Sequence, residues 1–341
     1  MTSIKILGID LGKSNFHALG HDASGNEVFR KKFNRKSLIE YLHLLPPTTI
    51  AFEACGGAHW LARRCESFGH QVKLLPPQYV RPYVKGNKND FIDADAIAEA
   101  ASRPSMRFVT IKSESAQLIA VMHRARSAFV KERTATMSRI GSILLEFGIS
   151  LPQGHKTMKS LFAWLAKQSE CVPPLLIQEL QILHEHYIEL NDRIKSYDQK
   201  LSRLANESED GKLLQSIPGV GPLIASQCLA DLGSVGQFKN GRNMAAWMGL
   251  VPRQYSTGGK PTLLGISKRG NVHLRTLFIH GARAILSKPD GVAKQFGPWL
   301  ERLRATKPYN VVTVALANKL ARIAWSVLNH QQPFNAKLLH A

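Results

Sequence analysis

The stretch Ile4-Lys5-Ile6-Leu7-Gly8-Ile9-Asp10 decides how the first third of the chain is read. A short apolar run that closes on a carboxylate has the pattern of a buried central strand with an acid at its carboxyl end. Working outward, residues 16–20 and 27–33 read as the next two strands, with Asp22-Ala23-Ser24-Gly25-Asn26 as the turn between them. Residues 38–45 read as a helix stopped by Pro46-Pro47. The β-branched and aromatic run 49–52 leads into Glu53. A helix over 59–68, a strand over 71–75, a Pro76-Pro77 break and a helix through Asp93 to Ala101 complete the block.

Three meandering strands followed by alternating helices and strands is the order of a ribonuclease-H-like α/β fold, parts of which many doubly wound sheets share. The middle of the chain is helical. Residues 114–147 hold few breakers and carry Arg124, Arg126, Lys131, Arg133 and Arg139. After Pro152-Gln153-Gly154, a second long helix starts beyond Pro173-Pro174. In it Leu176, Leu180, Leu183, Tyr187, Leu190, Ile194, Tyr197, Leu201 and Leu204 recur at spacings of four and three, the seam of a coiled coil. A subunit-joining coil and an antiparallel pair with the 114–147 helix both satisfy that seam. The final third reads as Gly/Pro-punctuated helix. The expected domains are 1–110, 111–208 and 209–341.

With 341 residues, 44% of them hydrophobic, the chain has material for two or three globular domains, which excludes disorder and a disulfide-stapled mini-protein. Its 45 Lys and Arg against 25 Asp and Glu give a net charge of +20. Residues 237–341 hold 16 basic side chains and only two acids, Asp290 and Glu301, so +14 of that charge lies in the last third. Such a block points to a polyanion, with nucleic acid first. Cys55, Cys65, Cys171 and Cys228 lie far apart with no ligand spacing, which argues against zinc and disulfides and fits a reducing cytoplasm. No signal-peptide pattern opens the chain, and the apolar residues 311–328 include Lys319 and Arg322, as expected of a buried helix and not a membrane span.

Four carboxylates stand out by position. Asp10 and Glu53 end two strands that neighbour one another in this fold order, and Asp90 and Asp93 share one face of a helix start. Singly, each has a plain structural use as a cap or ion-pair partner. Together they repel one another unless a cation neutralises them, and an oxygen-only set suits Mg²⁺ or Mn²⁺. Two such ions ~4 Å apart are the arrangement of phosphodiester cleavage. Asp95, two residues beyond Asp93, is expected on the surface.

Ile217-Pro218-Gly219-Val220-Gly221-Pro222 resembles a helix-hairpin-helix turn, whose Gly219 and Gly221 let backbone amides approach a phosphate. A tight helix-helix turn is the alternative. The stretch from Gly249 through Pro252-Arg253-Gln254-Tyr255-Ser256-Thr257-Gly258-Gly259-Lys260 and on to Gly265-Ile266-Ser267-Lys268-Arg269-Gly270-Asn271 reads as a glycine-rich loop. Its hydroxyl pair lies among Arg253, Lys260, Lys268 and Arg269, with Arg275 following, all suited to a phosphodiester. A hydroxyl that attacked phosphorus there would conserve the bond for rejoining. A loop that only contacts phosphate satisfies the same residues. The 13 histidines form no evident cluster, and no Walker loop or nucleophile elbow is present.

These motifs closely resemble DEDD-type insertion-sequence transposases, insertion-sequence family 110 and especially its 1111 subgroup, with the Piv/MooV invertases as relatives. The likeness runs nearly end to end: Gly8-Ile9-Asp10, Phe52-Glu53-Ala54-Cys55, Lys88-Asn89-Asp90 through Ile92-Asp93-Ala94, Ser102-Arg103-Pro104, the 217–221 turn and the 249–270 block. The resemblance implies an N-terminal RuvC-like domain whose Asp10, Glu53, Asp90 and Asp93 bind divalent metal. It also implies a helical coiled-coil segment and a mainly α C-terminal transposase domain with a nucleophilic serine. It further implies DNA partners at element ends and target, a guide RNA encoded by the element, and a homo-oligomer in which one subunit's serine meets another's acids. Many relatives have Ser-Gly where this chain has Ser256-Thr257-Gly258-Gly259, so Ser256 and Thr257 both stand as nucleophile candidates, Ser256 being the less hindered. The rivals are a RuvC-like Holliday-junction endonuclease, a sugar-kinase-like phosphotransferase suggested by Gly8-Ile9-Asp10-Leu11-Gly12, and a non-catalytic nucleic-acid-binding protein.

Overall fold

The computed structural model describes residues 3–87, 89–167, 172–288 and 295–336, so Lys88, Cys171 and Asp290 lie outside it. The chain divides into two units, Met1–Glu114 and Ser115–Ala341.

In the first unit the chain runs β1 (Ile6–Leu11), β2 (Asn15–His21), β3 (Glu27–Asn34), α1 (Arg35–Leu44), β4 (Thr49–Glu53), α2 (Ala58–Ser67), β5 (Gln71–Leu75), α3 (Pro77–Val80) and α4 (Asp90–Ser102). The strands form one mixed sheet in the order β3-β2-β1-β4-β5, with β1 antiparallel to β2 and parallel to β4. One face packs Leu7, Ile9 and Phe52 against Leu38 and Leu42 of α1 and Leu61 and Cys65 of α2. The other face packs Ala51 and Leu75 against Ala96, Ile97, Ala100 and Ala101 of α4. The small residues of α4 let it lie close to the sheet, and Gly8 is where it comes closest. A Cβ on Gly8 would stand 2.2 Å from the Ala94 carbonyl oxygen and 2.8 Å from the Ala98 nitrogen. No side chain fits that gap.

The second unit comprises α5 (Glu114–Glu146), α6 (His155–Lys159), α7 (Leu161–Leu165), α8 (Pro174–Glu207), α9 (Glu209–Gln215), α10 (Pro222–Asp231), α11 (Gly241–Trp247), β6 (Pro252–Thr257), β7 (Lys260–Ile266), α12 (Val272–Leu286), α13 (Gly297–Thr306) and α14 (Tyr309–His330). The seam of α8 meets α5 of its own chain. Leu176, Leu180 and Tyr187 share a cluster with Ile140 and Leu144. Arg133 Nη1 donates to Asn191 Oδ1 at 2.9 Å and Arg126 Nε to Asp198 Oδ1 at 2.5 Å. Positions that rise along α5 meet positions that fall along α8, so the pair is antiparallel, the intramolecular alternative that the heptad pattern left open.

A second, larger cluster joins Leu214, Ile217, Val220 and Ile224 to Met244 of α11, Met248 just after it, Phe278 of α12 and Leu316, Leu320 and Ala324 of α14. Helix α14 is long and apolar enough to cross a membrane by composition, yet half of that window is buried inside the protein. The 249–270 block departs from the expected loop: Pro252–Thr257 and Lys260–Ile266 pair as an antiparallel hairpin. Its two-residue turn is Gly258-Gly259, with φ of 57° and 76°, and two consecutive left-handed residues suit the twist of a hairpin and favour glycine.

Candidate active site

Register alone brings the first two acids together. Ile9 pairs with Phe52, so Asp10 and Glu53 follow as the next residues at the carboxyl ends of parallel β1 and β4. Side chains alternate along a strand, and Gly8 and Ala51, two residues earlier, face α4; Asp10 and Glu53 therefore face α4 as well. The start of α4 supplies the other two. Asn89, not Asp90, caps this helix through its side chain to the Phe91 nitrogen, which leaves Asp90 and Asp93 in the first turn. The approach that Gly8 permits thus decides whether the strand acids and the helix acids share one site.

Electrostatics carries the mark of that convergence. Burial, followed by the neighbouring Asp10 and Asp93 carboxylates, pushes the Glu53 carboxyl above its ordinary range. The Cys55 thiol is also pushed up, by burial and then by Glu53 and Asp10. Negative charge is concentrated here in a way that a bound cation would relieve.

A fifth residue belongs with the acids. His17 is the antiparallel partner of Asp10 on β2, is 8% exposed, and places Nδ1 3.4 Å from Asp90 Oδ2. Ligand atoms of Asp10, His17 and Asp90 all lie within 4.8 Å of one another, a spacing that could hold a metal ion. The ring of Phe91 meets His17 edge-on at 4.8 Å and fixes its plane. Asp95, expected on the surface, accepts a 2.7 Å hydrogen bond from buried His21 and ties α4 to β2 one turn further on.

The second unit carries the remaining candidates. Ser256 and Thr257 end β6 opposite Pro261 and Lys260, and consecutive strand residues face opposite sides. Ser256 Oγ accepts a 2.7 Å hydrogen bond from Gln254 Nε2, and every residue of β6 is exposed. Arg253, Lys260, Lys268 and Arg269 are exposed as well, with Lys268 held at a φ of 54°.

Arg275 is different. It is 8% exposed, and its Nη1 donates to the carbonyls of Met248 at 2.9 Å and Arg269 at 3.4 Å. Through Nη1 it braces the base of the hairpin, where buried carbonyls need a donor. Gly219 also has a packing duty, since a Cβ there would stand 2.8 Å from the Gly281 carbonyl of α12, whereas Gly221 has open space around it.

Residues 7–149 match the family model of DEDD transposases of the IS110 group, described as "Transposase", and residues 211–297 match "Transposase IS116/IS110/IS902 family". The chain is 44% identical over 335 residues to the transposase for insertion sequence element IS1328 of Yersinia enterocolitica, covering 98% of this chain and 100% of that one. It is 40% identical to the transposase for insertion sequence element IS1111A of Coxiella burnetii, covering 98% and 92%. The chain belongs to the IS110/IS116/IS902 family of transposases.

This transposase is accordingly an enzyme that cleaves and recombines DNA. It is also 23% identical to the pilin gene-inverting protein of Moraxella lacunata, over 97% of this chain and 98% of that one. Within the transposase the family model for DEDD enzymes spans all four acids, and the second model spans the 217–221 turn and the hairpin. His17 was not among the residues singled out by sequence. Its signal was there, because a tight turn over Gly12–Asn15 pairs position 17 with position 10, but only the register makes it legible.

Proposed function

We propose that this transposase cuts and exchanges DNA strands with a divalent cation, Mg²⁺ or Mn²⁺, held by Asp10, Glu53, Asp90 and Asp93 on a RuvC-like first unit. The observation that carries the reading is the gathering of acids from β1, β4 and α4 at one sheet edge, where burial and then the Asp10 and Asp93 carboxylates raise the Glu53 carboxyl. His17 is a further ligand, or a donor that orients Asp90. A cation at this edge supplies neutralisation of the charge that develops on the phosphodiester oxygens.

The hydroxyl of Ser256, or of Thr257, is the nucleophile. Its oxygen forms a bond to phosphorus as the strand's own ester P–O bond breaks, and the proton that the hydroxyl gives up is balanced by the one that the departing strand oxygen takes up. One phosphoester replaces another, so the strand can be rejoined without ATP. Arg253, Lys260, Lys268 and Arg269 hold the phosphodiester backbone, and the 217–222 turn adds a contact that is blind to sequence. Element ends and target are the DNA partners, an element-encoded RNA guides them together, and two or more copies assemble so that acids and hydroxyl can meet.

The test is to incubate the protein with element-end DNA and Mg²⁺ and to look for a DNA adduct that survives denaturation. Asp10→Asn is expected to cut adduct formation by ~10²–10³-fold, the loss seen when a charge-stabilising group is removed. Mass spectrometry of the adduct names residue 256 or 257, and Ser256→Ala with Thr257→Val removes it. Cleaved DNA with no adduct would favour the junction-endonuclease reading. Sequencing RNA that co-purifies with the protein tests the guide: complementarity to element ends or flanks is expected.

A further inference from the structure

Outside the acids and the hairpin, the second unit holds a cleft of about 520 Å³ between α11, α13 and α14. Its chemistry is unusual for a surface hollow. Arg242, Lys319 and Arg322 line it together with Trp299, Trp325 and Asn318, and among the described residues no Asp or Glu lines it. Helix α14 produces this by its own periodicity: Asn318, Lys319 and Arg322 fall on one face, while Leu316, Ala317, Leu320 and Ala324 point into the core. Gly241 brings α11 against that face, since a Cβ there would stand 3.0 Å from the Arg322 Cα and carbonyl oxygen.

One aromatic wall and the amide beside it are held by hydrogen bonds. Trp325 Nε1 donates to the Phe238 carbonyl at 3.2 Å, and Asn318 Nδ2 donates to the Leu250 carbonyl at 3.1 Å. The Lys319 ammonium lies 4.3 Å from the centroid of the Trp299 ring. Partial burial and then the nearby Arg322 guanidinium lower the Lys319 pKa, the expected result of crowding two cations. A protein gains nothing in stability from such an arrangement; an anionic ligand relieves it.

We propose that this cleft binds one unpaired nucleotide of a single-stranded nucleic acid, its base stacked on Trp299 and its phosphates held by Arg242 and Arg322. The volume is of the size that small-molecule sites occupy, and a base has the flat π-face that an indole accepts. Lys319, now over Trp299, moves to the phosphate when the base arrives. A duplex cannot enter, because its bases are already stacked. None of the described residues that line the cleft is among those assigned to strand exchange, and it would capture an unpaired stretch of RNA or a displaced DNA strand with no bond made or broken.

The experiment uses the full chain and twelve-nucleotide single strands, one set of RNA with 4-thiouridine and one of DNA with 4-thiothymidine, crosslinked by near-ultraviolet light and mapped by mass spectrometry. Crosslinks at Trp299, Trp325 or their neighbours on α13 and α14 are expected, and the arm that gives them identifies the strand type. Arg242→Gln with Arg322→Gln is expected to weaken single-strand affinity about tenfold or more at fixed salt while changing duplex affinity less than about twofold. Trp299→Leu should weaken single-strand binding similarly. The charge-matched pair Arg302→Gln with Arg304→Gln on α13 serves as control. The proposal fails if crosslinks map elsewhere, or if the control pair weakens single-strand binding as much as the cleft pair. It also fails if duplex and single strand lose affinity equally. Since Arg242 and Arg322 are exposed, their variants keep the test valid even if Trp299→Leu misfolds.

Discussion

The acids and the hydroxyls of this transposase are built in opposite ways. Asp10, His17 and Glu53 stand on three adjacent strands of a five-stranded sheet, and α4 presses Asp90 and Asp93 onto them through a gap with no room for a side chain at Gly8. Ser256 and Thr257 stand at the tip of a two-stranded hairpin whose β6 is exposed at every residue. Tyr255, Leu263 and Leu264 are 69%, 66% and 48% exposed there. A two-stranded ribbon is marginal on its own, and apolar side chains of that size facing solvent mark a surface that meets a partner. The comparison separates a site preorganised by its scaffold from one that stands exposed on a ribbon.

Breaking the first half of that contrast should have the largest effect. Gly8→Val is expected to drive α4 off the sheet, cost about 3 kcal/mol or more and abolish strand cleavage, as read by thermal melting and the adduct assay. An unchanged melt would mean that α4 does not depend on that close approach.

Next is a pH effect confined to the helical unit that carries the hairpin. The Ser226 hydroxyl donates to the Pro222 carbonyl at 2.8 Å, so it accepts from His123 Nε2 at 3.0 Å, which places a proton on that nitrogen. Burial, and then the neighbouring His273, lower the His123 pKa from 6.5 to about 4. A depressed pKa means that the unfolded chain takes up this proton first. Stability is therefore fully present above about pH 6.5 and falls as pH drops towards 4, by a total of about 3 kcal/mol. Denaturant melts across that window should show the slope, and His123→Gln should flatten it.

Gly259→Ala probes the hairpin itself. Its φ of 76° is left-handed, so the substitution should cost about 1 kcal/mol of hairpin order. Hydrogen exchange over 252–266 should speed up while that of the first unit stays the same. The smallest effect sharpens the other half of the contrast: Leu263→Ser should change the melt by less than ~0.5 kcal/mol, since the side chain packs on little in the free protein. The same variant should reduce adduct yield if the exposed hairpin works by docking. A large loss of stability would show that Leu263 is already packed in the isolated chain.

Much of the first unit was legible because its signals are local. The apolar run into Asp10, the β-branched run into Glu53 and the proline breaks fix strands and helices whatever surrounds them, and the strand order follows once three strands meander. The 249–270 block was harder. Its glycines announce a turn, but an exposed hairpin has no buried face, so no alternation of apolar and polar residues marked the strands. The heptads of α8 predicted a buried seam without naming its partner, because Leu and Ile serve equally inside one chain or between two. Arg275 shows the same limit: a guanidinium looks alike in sequence whether it faces an oxygen of DNA or, as its Nη1 does here, the carbonyl of Met248.

By itself the sequence determined the excess of positive charge in the last third, the four acids at the ends of regular elements and the hydroxyl pair before Gly258-Gly259. These follow from residue type and short-range periodicity, which chain neighbours are enough to define. Only the tertiary structure decided that His17 joins Asp10 and Asp90, that Arg275 is withdrawn into the base of the hairpin, and that Arg242, Lys319 and Arg322 share one cleft with Trp299. Each of these depends on register or helix approach between distant segments, and at Gly8, Gly241 and Gly281 that approach is set by the absence of a side chain, which only the packed neighbour makes meaningful.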